Sequence, residues 1–312
     1  MKGVVGFGAM NMDRFYQVER ILVDDEAVVE DYRSLPGGSA ANTIFALARL
    51  GIRCGFLGAV GDDEAGKELL EDFVGVGVDT SQIRAKKGAR TGEALCLTDG
   101  GGRRTLYILP GANGLLTKDD VDLAYVEEVK LVHLSSFADE EQLELQKWLV
   151  GKLPPSVKVS FSPGAIYARK GLEVSLPIIR RADIIFMNRK EVKALTDKGF
   201  VAGARELLGY GSKAIVVTLG EGQRHTAYIA AGGEEHRIES LFAARGRLET
   251  TGAGDAFAAG VIYGHLNGES WEKSGRLGYL MAQACLSQIG ARAGLPSPEE
   301  LAAKYEEYYG KP

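Results

Sequence analysis

The stretch Glu249-Thr-Thr-Gly-Ala-Gly-Asp-Ala-Phe-Ala-Ala-Gly260 carries the most information in this chain of 312 residues. Gly252 and Gly254 flank Ala253, Asp255 follows at once, and apolar residues then recur at helical spacing: Ala256, Phe257, Ala259 and Val261. A glycine-rich turn that opens a helix presents unpaired backbone N–H groups and the positive end of the helix dipole, which together form an anion site. Asp255 falls in the first turn, beside whatever anion binds there. A carboxylate repels a phosphate, so its presence points to a second task, accepting a proton from an attacking hydroxyl. A plain helix start with an acidic first turn has the same local pattern.

A second segment, Leu35-Pro-Gly-Gly-Ser-Ala-Ala-Asn-Thr-Ile-Phe-Ala-Leu-Ala-Arg-Leu-Gly51, is also a Gly-Gly turn running into a small-residue helix, with Asn42 in its first turns. Four shorter motifs accompany the two: Asn11-Met-Asp13, Gly111-Ala-Asn113, Asn188-Arg-Lys-Glu191 and Thr218-Leu-Gly220. With these residues in this order the chain resembles the ribokinase (PfkB) carbohydrate kinase family. That family carries an early G-G-x-x-x-N and a late D-T-x-G-A-G-D, with N-x-D, G-A-N, N-x-x-E and T-L-G elements. The resemblance runs from Asn11 to about Pro296, most of the chain.

Continuous apolar strands alternating with helices imply a doubly wound, mostly parallel α/β sheet covered on both faces. The predicted strands are Val4–Phe7, Cys54–Val60, Leu131–Leu134, Val157–Ser160, Ile184–Met187 and Ala214–Thr218, and the last ~60 residues read as mainly helical. Ligands in such sheets lie beyond the strand carboxyl ends. Two stretches break the pattern, Arg14–Ser34 and Gly92–Leu109, with β-branched and aromatic residues and a turn signal at Thr98-Asp-Gly-Gly-Gly-Arg-Arg104. They read as strands of a small sheet. The resemblance implies that this sheet is a lid over the sugar, so that 1–13, 35–91 and 110–312 form the main domain and 14–34 with 92–109 the lid. A pair of surface hairpins without a gating role is the plainer reading.

Composition excludes several classes. Hydrophobic content of 45%, charged content of 25% and a net charge of −5 describe an ordinary globular chain without a nucleic-acid surface. No run approaches the ~18 apolar residues of a membrane span. The N-terminus reads as a first strand rather than a signal peptide, and the three cysteines (Cys54, Cys96, Cys285) lack metal spacing, which together suggest a cytoplasmic location. No protein metal cage is visible, and the four scattered histidines read as packing or surface residues. A dinucleotide-binding oxidoreductase fails, because Gly6-Phe-Gly8 is not followed by a third glycine at position 11, which is Asn.

The resemblance implies an ATP-dependent kinase acting on a hydroxymethyl group of a sugar or nucleoside, with ADP as an alternative donor. Asp255 is the expected base, and the amides of Gly252, Ala253 and Gly254 the hole for the moving phosphoryl. Asn11, Asp13, Gly37, Gly38 and Asn42 are expected to bind the acceptor, since a polyhydroxylated ligand needs paired donors and acceptors. Asn113 is expected to support them. Asn188 and Glu191 are expected near a Mg²⁺-nucleotide, acting through water, and they also fit a helix capping box. Thr218, Gly220 and Gly222 are expected at the nucleotide, with helix Trp271–Ser287 and the loop Gly290–Gly294 flanking its base.

Two departures from the family pattern stand out. Glu249 replaces the usual Asp that helps hold a monovalent cation in some members, which puts cation activation in doubt. Ser162-Pro-Gly164 lacks the aspartate that many members place before the proline. A sugar-phosphate kinase is the alternative within the class, with Arg90, Arg103 and Arg104 as a phosphate clamp. The expectation for Arg103 and Arg104 is solvation of a hairpin tip, where each contributes below ~1 kcal/mol. A regulatory nucleotide-binding protein without turnover is the alternative outside it, and the intact Asp255 argues against it. An exposed lid sheet could also pair across a homodimer.

Overall fold

Within each central strand the buried side chains alternate between two apolar clusters, and this alternation builds the molecule. Val4, Leu131, Ile184, Phe186, Ala214 and Val216 face one apolar cluster, whereas Val5, Val132, Leu134, Ile185, Met187, Ile215 and Val217 face another. A strand buried on both faces reads as a near-continuous apolar run, and a parallel sheet between two helical layers provides both faces. The computed structural model of the protein describes residues 3–101, 103–220, 222–241 and 251–310. Glu249, with its cation question, lies outside them.

Among the described residues, nine strands form the large sheet: β1 (Val4–Phe7), β4 (Cys54–Gly61), β5 (Ile83–Lys86), β8 (Leu131–Ser135), β9 (Lys158–Ser162), β10 (Ile184–Asn188), β11 (Ala214–Thr218), β12 (His225–Ala231) and β13 (Glu234–Glu239), in the order β13-β12-β11-β10-β9-β8-β1-β4-β5. Every pairing is parallel except β11–β12 and β12–β13. That antiparallel edge was not anticipated from the sequence. It turns at Gly232-Gly233, both with positive φ, the backbone that a two-residue hairpin requires.

One helical layer contains α1 (Ser39–Arg49), α2 (Glu64–Gly75), α9 (Ala253–Leu266), α10 (Trp271–Cys285) and α11 (Pro298–Tyr309). The other contains α3 (Leu123–Glu127), α4 (Glu140–Lys152), α5 (Gly164–Lys170), α6 (Leu172–Arg181), α7 (Arg189–Thr196) and α8 (Phe200–Leu208). α9 and α10 touch backbone to backbone: a Cβ on Gly260 would lie 2.7 Å from the Cα of Gly278. His133 is fully buried beside Ser160 Oγ at 2.9 Å, and burial pushes its imidazole down to about 3, so it is a neutral packing residue.

A separate four-stranded sheet contains β2 (Asn11–Val18), β3 (Val29–Gly37), β6 (Gly92–Asp99) and β7 (Arg104–Leu109) in the order β3-β2-β6-β7. β2 pairs antiparallel with β3 and parallel with β6, and β6 with β7 forms the hairpin expected around Thr98–Arg104. On one face Arg14 donates to Glu93 at 2.9 Å, to Tyr32 Oη at 3.0 Å and to Ser34 Oγ at 2.6 Å, tying three strands together. Asp13 lies on the opposite face, as period-two alternation demands.

Candidate active site

Two helix starts meet at Asp255. The first is α1, whose N-cap is Gly38. The second is α9, whose N-cap Gly252 has φ 81 and receives no side-chain cap. A non-glycine residue at 252 would be strained by that φ, and its Cβ would overlap Ala291. The first-turn amides of α9 therefore have no capping side chain, in line with an anion-binding end.

The Asp255 carboxylate, half-buried, is held from α1. Ser39 Oγ donates to Oδ1 at 2.7 Å and Asn42 Nδ2 donates to Oδ2 at 3.0 Å, while Thr43 Oγ1 reaches the Asp255 carbonyl at 3.3 Å. Burial raises the carboxyl, the bonds from Asn42 and Ser39 and the charge of Arg292 draw it partly back, and it stands at about 6. Ser39 and Arg292 were not picked out from the sequence. Ser39 directly follows the Gly-Gly turn and was passed over as a small residue. Arg292 lies in the loop expected to flank a base by apolar contact; instead it turns toward α1 and α2.

Asn11 and Asp13 open β2 at the carboxyl side of β1, and both are buried. Gly37 pairs with Asn11 in the register, and a Cβ there would overlap the Asp13 carboxylate, so the close approach of this turn requires glycine. Asn113 is also buried, but its amide is spent inside the protein. It accepts from Met10 N at 2.9 Å and donates to Met10 O, Asn11 Oδ1 and Pro110 O at 2.9–3.0 Å. It holds Asn11 in place.

On the other side of α9 lies a cavity of about 560 Å³, lined by Asn188, Thr218, Gly220, Ala253, Gly254 and, from α10, Ala282, Gln283 and Leu286. Glu191 and Gly222 are not among its lining residues. Glu191 makes the capping box with Asn188: its two carboxylate oxygens accept from Asn188 N at 2.9 Å and Asn188 Nδ2 at 2.8 Å, and Asn188 Oδ1 accepts from Glu191 N at 3.0 Å. Burial pushes the Glu191 carboxyl up. Gly222 is exposed, with φ 75.

The two hairpin arginines part company. Arg103 pairs with Asp99 at 2.7 Å with its side chain 68% exposed, the expected tip residue. Arg104 instead donates to Thr251 Oγ1 at 2.9 Å, from the small sheet to the residue that precedes Gly252.

Known proteins resemble this chain along most of its length. A family model described as pfkB family carbohydrate kinase matches residues 1–298. An uncharacterized sugar kinase of Archaeoglobus fulgidus is 36% identical over 80% of this chain and 98% of its own length. An ATP-dependent ribose-1-phosphate kinase of Halopiger xanaduensis is 29% identical over 99% of this chain and all of its own. The structure of Burkholderia thailandensis nucleoside kinase in complex with inosine superposes with a TM-score of 0.85 at 22% identity, covering 99% of each chain.

A raised carboxyl has a signature in stability. Asp255 binds its proton more tightly in the folded chain (about 6) than at the ordinary value of 3.8, so its contribution to stability is lost as pH rises between those values. Asp255→Asn removes that loss. The variant's melting temperature is expected to gain on the wild type through this window and to hold the gain above it. A difference that stays constant from about pH 4 to about pH 8 would show an unraised carboxyl.

Proposed function

Because the chain belongs to the pfkB family of carbohydrate kinases, and so is a phosphotransferase acting on a hydroxyl group, we propose that it phosphorylates a hydroxymethyl group of a sugar or nucleoside with ATP. The observation that carries this reading is the position of Asp255. It stands in the first turn of an uncapped helix start, between the Asp13–Gly37 turn and the cavity beside Gly254.

In this reading the acceptor's hydroxyls bind Asp13, Asn11, Asn42 and the backbone of Gly37-Gly38. Asp255 takes the proton of the hydroxymethyl group as its oxygen bonds to the γ-phosphorus and the bond to the β-phosphate oxygen breaks. Charge on the moving group falls on the amides of Gly252, Ala253 and Gly254 and on the positive end of α9. A carboxyl near 6 suits a base that must be ionised at neutral pH and still hold a proton transiently.

The cavity beside α9 is large enough for a nucleotide, with Thr218 and Gly220 along it and Gly222 just beyond. The hard oxygen donors of Asn188 and Glu191 at its edge fit a hydrated Mg²⁺, which when bound neutralises phosphate charge. These two residues would reach it through water, because each is already engaged with the other.

The small sheet, to which the segments 14–34 and 92–109 contribute, acts as the lid of this reading. Its Asp13 face turns inward, and Tyr32, Tyr107 and Leu109 of the opposite face are 49–59% exposed, a surface suited to a second copy of the chain. Sedimentation as a monomer at micromolar concentration would remove the homodimer from the proposal.

Asp255→Asn is expected to bind nucleotide normally and to lose ~10²–10⁴ in turnover. Near-normal turnover on the preferred acceptor would defeat the assignment of the base.

Arg104 favours a second reading, a phosphorylated acceptor, because it brings a guanidinium to the mouth of the anion-binding turn. Ribose, a nucleoside and ribose 1-phosphate, each compared in wild type, Asp13→Ala and Arg104→Ala, separate the two. For a neutral acceptor, Asp13→Ala raises the acceptor KM while Arg104→Ala changes it less than about threefold. A KM raised by about tenfold or more for the sugar phosphate alone in Arg104→Ala establishes the second reading.

A further inference from the structure

Behind the acceptor turn, Arg292 sits with its side chain 7% exposed and makes contacts that the proposed reaction does not use directly. Nη1 pairs with Asp72 of α2, Nε donates to Asn42 Oδ1 at 3.1 Å, and Nη2 donates to the Gly37 carbonyl at 3.2 Å. Its guanidinium lies 5.2 Å from the ring centres of both Phe45 and Phe73.

We infer that Arg292 is a positioning residue for the Asp255 carboxylate, acting through the amide of Asn42, which its guanidinium locks in one orientation. This inference rests on the reading of Asp255 as the base only where it concerns turnover. Its geometric part stands alone.

An amide has an acceptor end and a donor end, and a guanidinium only donates. With Arg292 Nε on one side, Asn42 must present Oδ1 to it, and Nδ2 then faces Asp255 Oδ2 at 3.0 Å. The flipped amide would set donor against donor and oxygen against carboxylate at once. Arg292 thus decides which atom of Asn42 the carboxylate meets, and the bond from Asn42 lowers the pKa that burial raises. The same guanidinium holds the Gly37 carbonyl, so the base and the acceptor turn share one anchor.

The planar fork matters here. Three partners in fixed directions suit arginine, whereas a lysine ammonium retains the charge without matching the three directions. Among the described residues, the charged groups that act on this centre are few. Arg292 draws the Asp255 carboxyl down, Asp255 acts on Glu191 of α7, and Asp13 and Asp72 act on Arg292 itself. Replacing Arg292 therefore removes a positive charge and frees the Asn42 amide, and both effects move Asp255 upward.

The test is a direct carbon-13 titration of the Asp255 side-chain carboxyl in the full chain, assigned by its loss in Asp255→Asn. It is run on wild type, Arg292→Gln, Arg292→Lys and Asn42→Ala, each checked for a cooperative thermal transition. The wild-type midpoint is expected near 6. In Arg292→Gln it is expected to rise by about one pH unit or more, and in Arg292→Lys and Asn42→Ala by part of that. The acid limb of kcat/KM is expected to move by the same amount.

An unchanged midpoint in every variant that folds overturns the inference, and Arg292→Lys and Asn42→Ala keep this result attainable if Arg292→Gln does not fold. A midpoint that moves while the acid limb stays put upholds the positioning role and defeats instead the assignment of Asp255 as base.

Discussion

A carboxylate partly withdrawn from water, where two helix starts converge, is the constraint on which the site depends. The donors to the Asp255 carboxylate come from a different helix. α1 supplies them from Ser39 and Asn42. Burial alone would keep the group protonated; two hydrogen bonds and a nearby guanidinium bring it to a value where both forms are accessible near neutral pH. The large sheet exists, in this sense, to hold α1 and α9 at that distance. Val4–Phe7 leads into Asn11, which pairs with Gly37 beside the α1 start, while the glycine contact between α9 and α10 fixes the other partner.

Most of the fold was legible because parallel strands buried on two faces write a near-continuous apolar run. Val132 and Leu134 face one layer and Leu131 the other, yet in sequence they are simply apolar neighbours. The same rule explains what was missed. β13 is an edge strand, and its Glu234-Glu-His-Arg-Ile-Glu239 keeps only Ile238 inside, so no apolar run marks it. Its signal was the Gly232-Gly233 pair, a hairpin turn that periodicity alone does not weigh.

The site divides along similar lines. Glycine turns and the residues beside them could be read because each motif is local. Arg292 could not, since its meaning lies in contacts with Gly37, Asn42 and Asp72, more than two hundred residues away. Arg103 and Arg104 are adjacent and chemically identical, and only strand alternation separates them. One side chain stays with Asp99 at the hairpin tip, while the other crosses to Thr251. Composition offers no means of telling such a pair apart.

The backbone contact between Gly260 and Gly278 has a mechanical consequence. Two helices with no side chains between them at that point cannot slide or roll past each other without collision, so α9 and α10 move as one plate. Asp255, the uncapped amides and the α10 wall of the cavity all ride on that plate. Any opening that admits a ligand must therefore bend somewhere else, and the chain crosses between the small sheet and the rest of the fold at 7–11, 37–39, 86–92 and 109–111.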